Sequence, residues 1–287
     1  MLLERFGNLF EFLADHPRHH VRDTSFYQFT EGLTTPAFHE ARPAFEAGQQ
    51  VPLAELGLIS LPYENMGAID SIDLFGMDEL LMFSFYYRNR GRYSRVADIG
   101  ANIGLHSILL SLCGFKVEAY EPDPEHHAKL VRNLELNNIT NCTVHQAAVS
   151  EKDGTMPFVR VLGNTTSSHL AGAKANPYGE LEYFDVAVKE VRAIAERVDL
   201  LKIDAEGHES VILKGLPIEV WKRVDAFVEI GTPENARLVY DYFTGTGINI
   251  FSQKCGWARA ESVEDVPFSY KEGGVFISAK KVMPWSL

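Results

Sequence analysis

Residues 96–104, Val-Ala-Asp-Ile-Gly-Ala-Asn-Ile-Gly, constrain the fold more than any other stretch: an apolar strand ends in Asp98 and turns through Gly100 and Gly104 onto a helix. Glycine at such a turn takes positive φ without steric penalty and lets a ligand lie against backbone. A dinucleotide fingerprint needs a glycine two residues after the first, and Asn102 stands there. The spacing points to S-adenosylmethionine (SAM) rather than NAD. Asp98, Gly100, Asn102 and Gly104 are then the first cofactor contacts, with Asp98 holding either the turn or the cofactor's amino-acid end.

One strand later, Glu121 closes the apolar run at 115–120 and precedes Pro122-Asp123-Pro124. It follows the first glycine by about twenty residues, where a doubly wound fold places the acid that accepts from ribose hydroxyls. Pro124 fits the first turn of a helix over 125–137, where its missing N–H leaves no bond unmade. Gln146 and Ala147, at the end of an expected strand 143–147, lie beside adenine by topology.

The third segment, Val198-Asp199-Leu200-Leu201-Lys202-Ile203-Asp204-Ala205-Glu206-Gly207-His208-Glu209-Ser210, runs an apolar strand into charged residues around one glycine. Such a strand end exposes its charges at the carboxyl edge of a sheet, where open α/β sheets bind ligands. The three segments in this order resemble the FkbM family of SAM-dependent methyltransferases. Its marks are D-x-G-A-N-x-G, then E-P, then L-K-I-D-x-E-G-x-E-x-x-x-L-x-G, matched here at Lys202, Asp204, Glu206, Gly207, Glu209, Leu213 and Gly215. Ala205 departs from the larger aliphatic more usual there, and position 208 is variable in the family. The resemblance covers residues 78–278. It implies an α/β, class I methyltransferase (Rossmann-like) fold, with a doubly wound, mostly parallel seven-stranded sheet and one antiparallel strand near the end. An N-terminal appendage at 1–75 would precede a methyltransferase domain at 76–287.

The residues predict α/β alternation independently: strands 95–99, 116–120, 143–147, 198–203, 224–230, 248–251 and 274–278, with helices 103–113, 125–137, 209–213 and 233–243. An insertion at 150–188 carries strand-like 156–161 and 183–186. Upstream, apolar residues from Leu2 to Leu13 recur at helical spacing. A second helix is expected over 35–49, broken or kinked at Pro43, then short strands at 58–61 and 68–74, and a helix capped by Asp78 and running to Arg88.

Methyl transfer to a hydroxyl needs alignment, exclusion of water and a proton acceptor. Candidates for the acceptor are Asp204, Glu206, His208 and Glu229, with Asp204 also facing the methyl group if the resemblance holds. His208 reads more readily as a surface histidine at a helix start. Asp204 and Glu229, ending adjacent strands, could instead hold a hard divalent ion such as Mg²⁺ or Mn²⁺. The polar stretch 163–169 and residues Tyr63 to Asn65 are candidate contacts for a hydroxylated small molecule. A sugar, glycoside or secondary-metabolite acceptor is what the resemblance suggests. A SAM-binding module without transfer activity and a nicotinamide oxidoreductase are the alternatives, the latter opposed by Asn102.

A net charge of −12 argues against nucleic acid, which needs a basic face. Cys113, Cys142 and Cys255 are too few and too scattered for a disulfide framework or zinc site. The first 13 residues carry Glu4 and Glu11 and do not read as a signal peptide, and no apolar run reaches the roughly 20 residues of a membrane span. A cytoplasmic protein is expected, with the sequons at Asn138, Asn141 and Asn164 arising by chance. Oligomeric state is not legible.

Overall fold

The structure, a computed structural model, describes residues 2–174 and 179–285. Ahead of the first core strand lie α1 (Leu9–Ala14), α2 (Ser25–Glu40), α3 (Arg42–Glu46), the two-residue strands β1 (Val51–Pro52) and β2 (Leu58–Ile59), and α4 (Met77–Arg88). The alternation then begins with β3 (Arg95–Ile99), α5 (Leu105–Leu112), β4 (Lys116–Tyr120), α6 (Pro124–Leu136) and β5 (Cys142–His145). The insertion forms β6 (Ala148–Ser150), β7 (Gly154–Val161), β8 (His169–Leu170) and β9 (Leu181–Glu190), then α7 (Val191–Ala195). The core resumes with β10 (Leu200–Ile203), α8 (Glu209–Lys214), β11 (Asp225–Glu229), α9 (Pro233–Phe243), β12 (Asn249–Ser252), β13 (Ala258–Arg259) and β14 (Gly274–Ser278).

The main sheet has the order β13-β12-β14-β11-β10-β3-β4-β5. Strands β5, β4, β3, β10 and β11 run parallel, and β14 enters antiparallel to β11. The sheet carries eight strands rather than seven, the eighth being β13, two residues long against β12 at the edge. Residues Leu200 to Ile203 are all buried, as parallel strands covered by helices on both faces require. The chain order reverses between β3 and β10. That reversal opens a crevice at the strands' carboxyl ends.

Local chemistry sets the helix starts. Asp123 caps α6 by accepting from the N–H of Glu125 at 2.8 Å, with Pro124 first in the helix, and Thr232 caps α9 ahead of Pro233. Gly76 precedes α4 instead of Asp78, which lies inside the first turn. The Asp78 carboxylate is drawn away to Arg22, Tyr27 and Gln253. The expected helix over 35–49 is two helices: α2 starts ten residues earlier and carries Pro36 within it, and α3 begins just before Pro43. Residues 68–74 form no strand beyond a bridge between Asn65 and Asp70, and then tighten into the short turn Asp73–Phe75. The opening amphipathic segment divides into a 3₁₀ turn, Leu2–Phe6, and α1.

Apolar side chains of the N-terminal segment, among them Phe10, Phe38 and Phe75, join one continuous core with Leu80, Val96, Ile108 and Phe227. The face of the sheet next to α4 is therefore covered by the appendage. The insertion folds as a separate four-stranded sheet, β6-β9-β7-β8, with residues 175–178 outside the described part. Arg160 anchors it over α6. Its guanidinium meets both Asp123 oxygens at 2.7 Å and reaches Glu125 at 2.9 Å and Glu182 at 2.8 Å. No helix among the described residues is long and apolar enough to cross a membrane.

Candidate active site

A cavity with roughly 630 Å³ of empty space, part of it open to solvent, lies at the carboxyl ends of β3, β4 and β10. Its inner wall is Gly100, Asn102, Glu121 and Asp204, its roof is the insertion, and Ala147 and His208 line one end. The turn after β3 is held close: Gly100, at φ +76°, has backbone so near β10 that an added Cβ would sit 1.8 Å from the carbonyl oxygen of Asp204. Gly100→Ala should therefore lower stability by more than about 2 kcal/mol through φ strain and backbone displacement. It should also abolish the thermal shift produced by S-adenosylhomocysteine (SAH), whereas a wild-type melting temperature with the shift intact would contradict this packing.

Glu121 is 5% exposed and accepts from the N–H of Asn102 and from that of Asp123, both at 2.8 Å. Burial pushes its carboxyl up to about 8, against the pull of those two N–H groups. Asn102 takes φ +51°, and its buried side-chain oxygen has no hydrogen-bond partner. Asp98 does not line the cavity. It is fully buried, accepts from Ser107 Oγ at 2.6 Å and lies 3.4 Å from Lys202 Nζ, so it holds the turn from beneath. Gly104, at φ +91°, also lies off the cavity, where it lets Leu130 pack within 2.3 Å of the position of a Cβ. Of the two adenine candidates Ala147 lines the cavity and Gln146 does not.

Lys202 is the link that the sequence reading left without a role. Its side chain is 6% exposed and its Nζ donates to the carbonyl of Gly100 at 3.0 Å, lying 3.4 Å from Asp98 and 3.7 Å from Asp204. Burial opposes its charge, yet Asp98 and Asp204 outweigh burial and hold it above the ordinary lysine range. One cation thus fastens the glycine turn to the end of β10. A polar residue within Leu-Leu-Lys-Ile was the available signal, since an unpaired lysine in a buried strand is costly.

Burial raises the Asp204 carboxyl, Lys202 pulls it down and Glu79 pushes it up again. Glu206, at φ +53°, is paired with Lys174 from the insertion, and burial and Asp204 raise it to about 7. His208 is buried, not a surface residue: its Nε2 lies 2.9 Å from Ser150 Oγ and desolvation lowers its pKa. Glu209 accepts from the N–H groups of Ala205 and Gly207 and from Asn235, which moulds the 205–207 turn.

Glu229 lies outside this cavity. Continuing the β10–β11 register, in which Ile203 pairs with Val228, puts it beside Asp204, and it faces a second cavity together with Glu79. Burial, then the charges of Asp204 and Glu79, raise Glu229 well above the carboxylate range. The pair does not fit a divalent ion, because the Lys202 ammonium already stands at Asp204. Among the described residues no group of three or more His, Cys, Asp or Glu side chains is arranged to hold a metal.

In the polar stretch of the insertion, Thr165, Thr166, Ser168 and His169 line the first cavity, and Thr165 Oγ1 lies 3.0 Å from His126 Nε2. Tyr63, Glu64 and Asn65 do not line it. Tyr63 bonds Arg42 and Asp70, Glu64 pairs with Lys129, and Asn65 folds back onto Gly67. Tyr120, Pro122 and Phe158 also line the cavity and were not anticipated, as nothing separates them from core residues in sequence.

Known proteins resemble this chain in sequence. "Methyltransferase sdnD" of Sordaria araneosa is 28% identical over 198 residues, which is 57% of this chain and 76% of that protein. "Methyltransferase 1" of Beauveria bassiana is 28% identical over 158 residues, 47% of this chain and 63% of its own length. The solved precorrin-6y C5,15-methyltransferase of Geobacter metallireducens is 14% identical, with a TM-score of 0.36 over 67% of this chain and 82% of its own. The model of the methyltransferase FkbM domain matches residues 98–256, from the acid beneath the glycine turn through β10, α8 and β11 to the turn just after β12. That match takes in more than half of the chain and both walls of the cavity, so this protein is a methyltransferase of the FkbM family.

Proposed function

We propose that the chain transfers the methyl group of SAM to a hydroxyl of a small molecule, with a sugar, glycoside or secondary metabolite as acceptor. Bound SAM supplies a sulfonium that already activates its methyl group. The observation that carries the reading is the meeting, in one cavity, of Gly100, Asn102 and Glu121 with a raised carboxyl at Asp204. The residues fit the cofactor. The unpartnered Asn102 oxygen suits an ammonium, Glu121 suits a pair of ribose hydroxyls, and Ala147 offers an apolar edge to adenine.

Asp204 takes the hydroxyl proton in this reading, since proton acceptors work best when their pKa approaches the working pH. Glu206 keeps the insertion closed over the site through Lys174, which excludes water. His208 is a positioning residue, its Nε2 engaged by Ser150. The acidity of the chain, −12 overall, favours a small acceptor over nucleic acid. Release of SAH over a panel of sugars and glycosides tests the reading. Turnover on a hydroxylated member supports it, and SAH binding with no turnover on any member would point to a module without transfer activity.

Glu121 gives cofactor binding a pH dependence. Its carboxyl titrates near 8 in the free chain, and hydroxyl donors favour the ionised form. Binding at pH 7 should therefore release a proton, with affinity rising from about pH 6 to 8 and then levelling. Calorimetry in buffers of different ionisation enthalpy reads the proton directly. Glu121→Gln should remove the release and weaken SAM by roughly 10- to 100-fold; equal affinity in both proteins would exclude Glu121 from the ribose site.

A further inference from the structure

The second cavity encloses roughly 850 Å³ of empty space, part of it open to solvent, between the N-terminal segment, the start of α4, the end of β11 and the chain around Gln253 and Gly273. Five carboxylates face it, Glu31, Asp73, Asp78, Glu79 and Glu229, against one cation, Arg22. Arg22 is spent on Asp78. Asp73 accepts from the N–H of Asp70 at 2.8 Å, and Glu79 pairs with His106 at 2.8 Å. The Glu229 side chain has no hydrogen-bond or ion-pair partner among the described residues, and Asp204, Glu79 and Glu206 add negative potential around it that Lys202 offsets only in part. A half-buried carboxyl in that state stays protonated in the free chain, and a positive group arriving from outside is what lets it ionise and pair.

The place of this cavity links it to transfer. Its inner acid ends β11, and the neighbouring residue on β10 is Asp204 in the cofactor-side cavity, about 4.8 Å away at the backbone by strand spacing. A molecule seated against Glu229 therefore lies next to the proposed proton acceptor. We propose that this second cavity is the acceptor site and that it takes an amine-bearing polyol or glycoside, whose protonated amine is held at Glu229 while a neighbouring hydroxyl is presented to Asp204. The assignment rests on the methyl-transfer reading for the second half of that statement only. Recognition of the ammonium stands on the cavity's own charges. Transfer forms the oxygen–methyl bond as the sulfonium–methyl bond breaks, with the hydroxyl proton going to Asp204 and SAH leaving.

Calorimetric titration of the full chain saturated with SAH tests the charge requirement, with glucosamine against N-acetylglucosamine and kanamycin against its fully N-acetylated form. In at least one pair the amine should bind more tightly by about tenfold or more, and Glu229→Gln should bring that ratio to within about threefold of unity, with SAH affinity unchanged. Equal binding within both pairs, no binding of either amine, or a ratio that survives Glu229→Gln would overturn the assignment. Failure of methyl transfer is read separately, by SAH release with the same compounds. Amine-selective binding without release sinks the transfer reading and leaves the ammonium site standing.

Discussion

Lys202→Met should lower the unfolding free energy by about 3–5 kcal/mol, because it removes the cation that lies against both Asp98 and Asp204 and leaves the fully buried Asp98 to Ser107 alone. The cost arises from stranded charge rather than lost volume, since methionine nearly matches the lysine stem. Urea unfolding at constant slope measures it. The same substitution frees the carbonyl of Gly100 from its donor at 3.0 Å, so SAH affinity should fall as well. A double substitution, Lys202→Met with Asp98→Asn, should recover part of the stability by removing the stranded acid. Losses below about 1 kcal/mol in the single variant would show that Lys202 does not fasten the turn to β10.

Asp204→Asn should reduce turnover by roughly 10²- to 10⁴-fold while leaving SAM affinity within about threefold, the pattern of a lost proton acceptor at an otherwise intact site. The sign of its pH behaviour follows from the raised carboxyl. Burial and the charge of Glu79 keep Asp204 protonated to higher pH than an ordinary aspartate, despite Lys202. Wild-type turnover should therefore climb with pH across a limb shifted upward from that of an ordinary aspartate, and the variant should lose that limb. Steady-state kinetics from pH 5 to 9, an order-of-magnitude bracket around these groups, separates this role from a structural one. A variant with wild-type kcat would falsify the assignment of Asp204 as the base.

The segments legible in advance were those where one short-range rule dominated. The strand-turn-helix at 95–112, Glu121, the capped α6 and α9, and the antiparallel β14 follow from apolar runs, glycine spacing, Asp-Pro and Thr-Pro starts and the family pattern. The misplaced elements lie before residue 90, where α2 carries Pro36 and α4 begins without Asp78 as its cap. There a partner far along the chain overrides local preference: Gln253 and Arg22 hold Asp78, and Asn89 donates to the carbonyl of Pro284.

Of the contacts expected from spacing, Gly100, Asn102, Glu121 and Asp204 line the cavity, because these residues end neighbouring strands of the sheet or begin the turns that follow them. Spacing could not separate Asp98 from the wall of the cavity, since an acid at a strand end points either into the crevice or beneath the turn. Nor could it divide Asp204 from Glu229, which end adjacent strands yet face two different cavities.

The amino-acid pattern by itself determined the class of fold, the glycine turn and the family, because glycines at fixed offsets and charged residues closing apolar runs act over a few residues. Tertiary structure alone decided that Lys202 bridges Asp98 and Asp204, that the N-terminal segment walls an acidic cavity beside Glu229, and that the insertion roofs the first cavity through Arg160 and Lys174. Charge pairing and enclosure depend on distances between residues as far apart in the chain as Arg22 and Gly274, and only the packed sheet and its coverings set those distances.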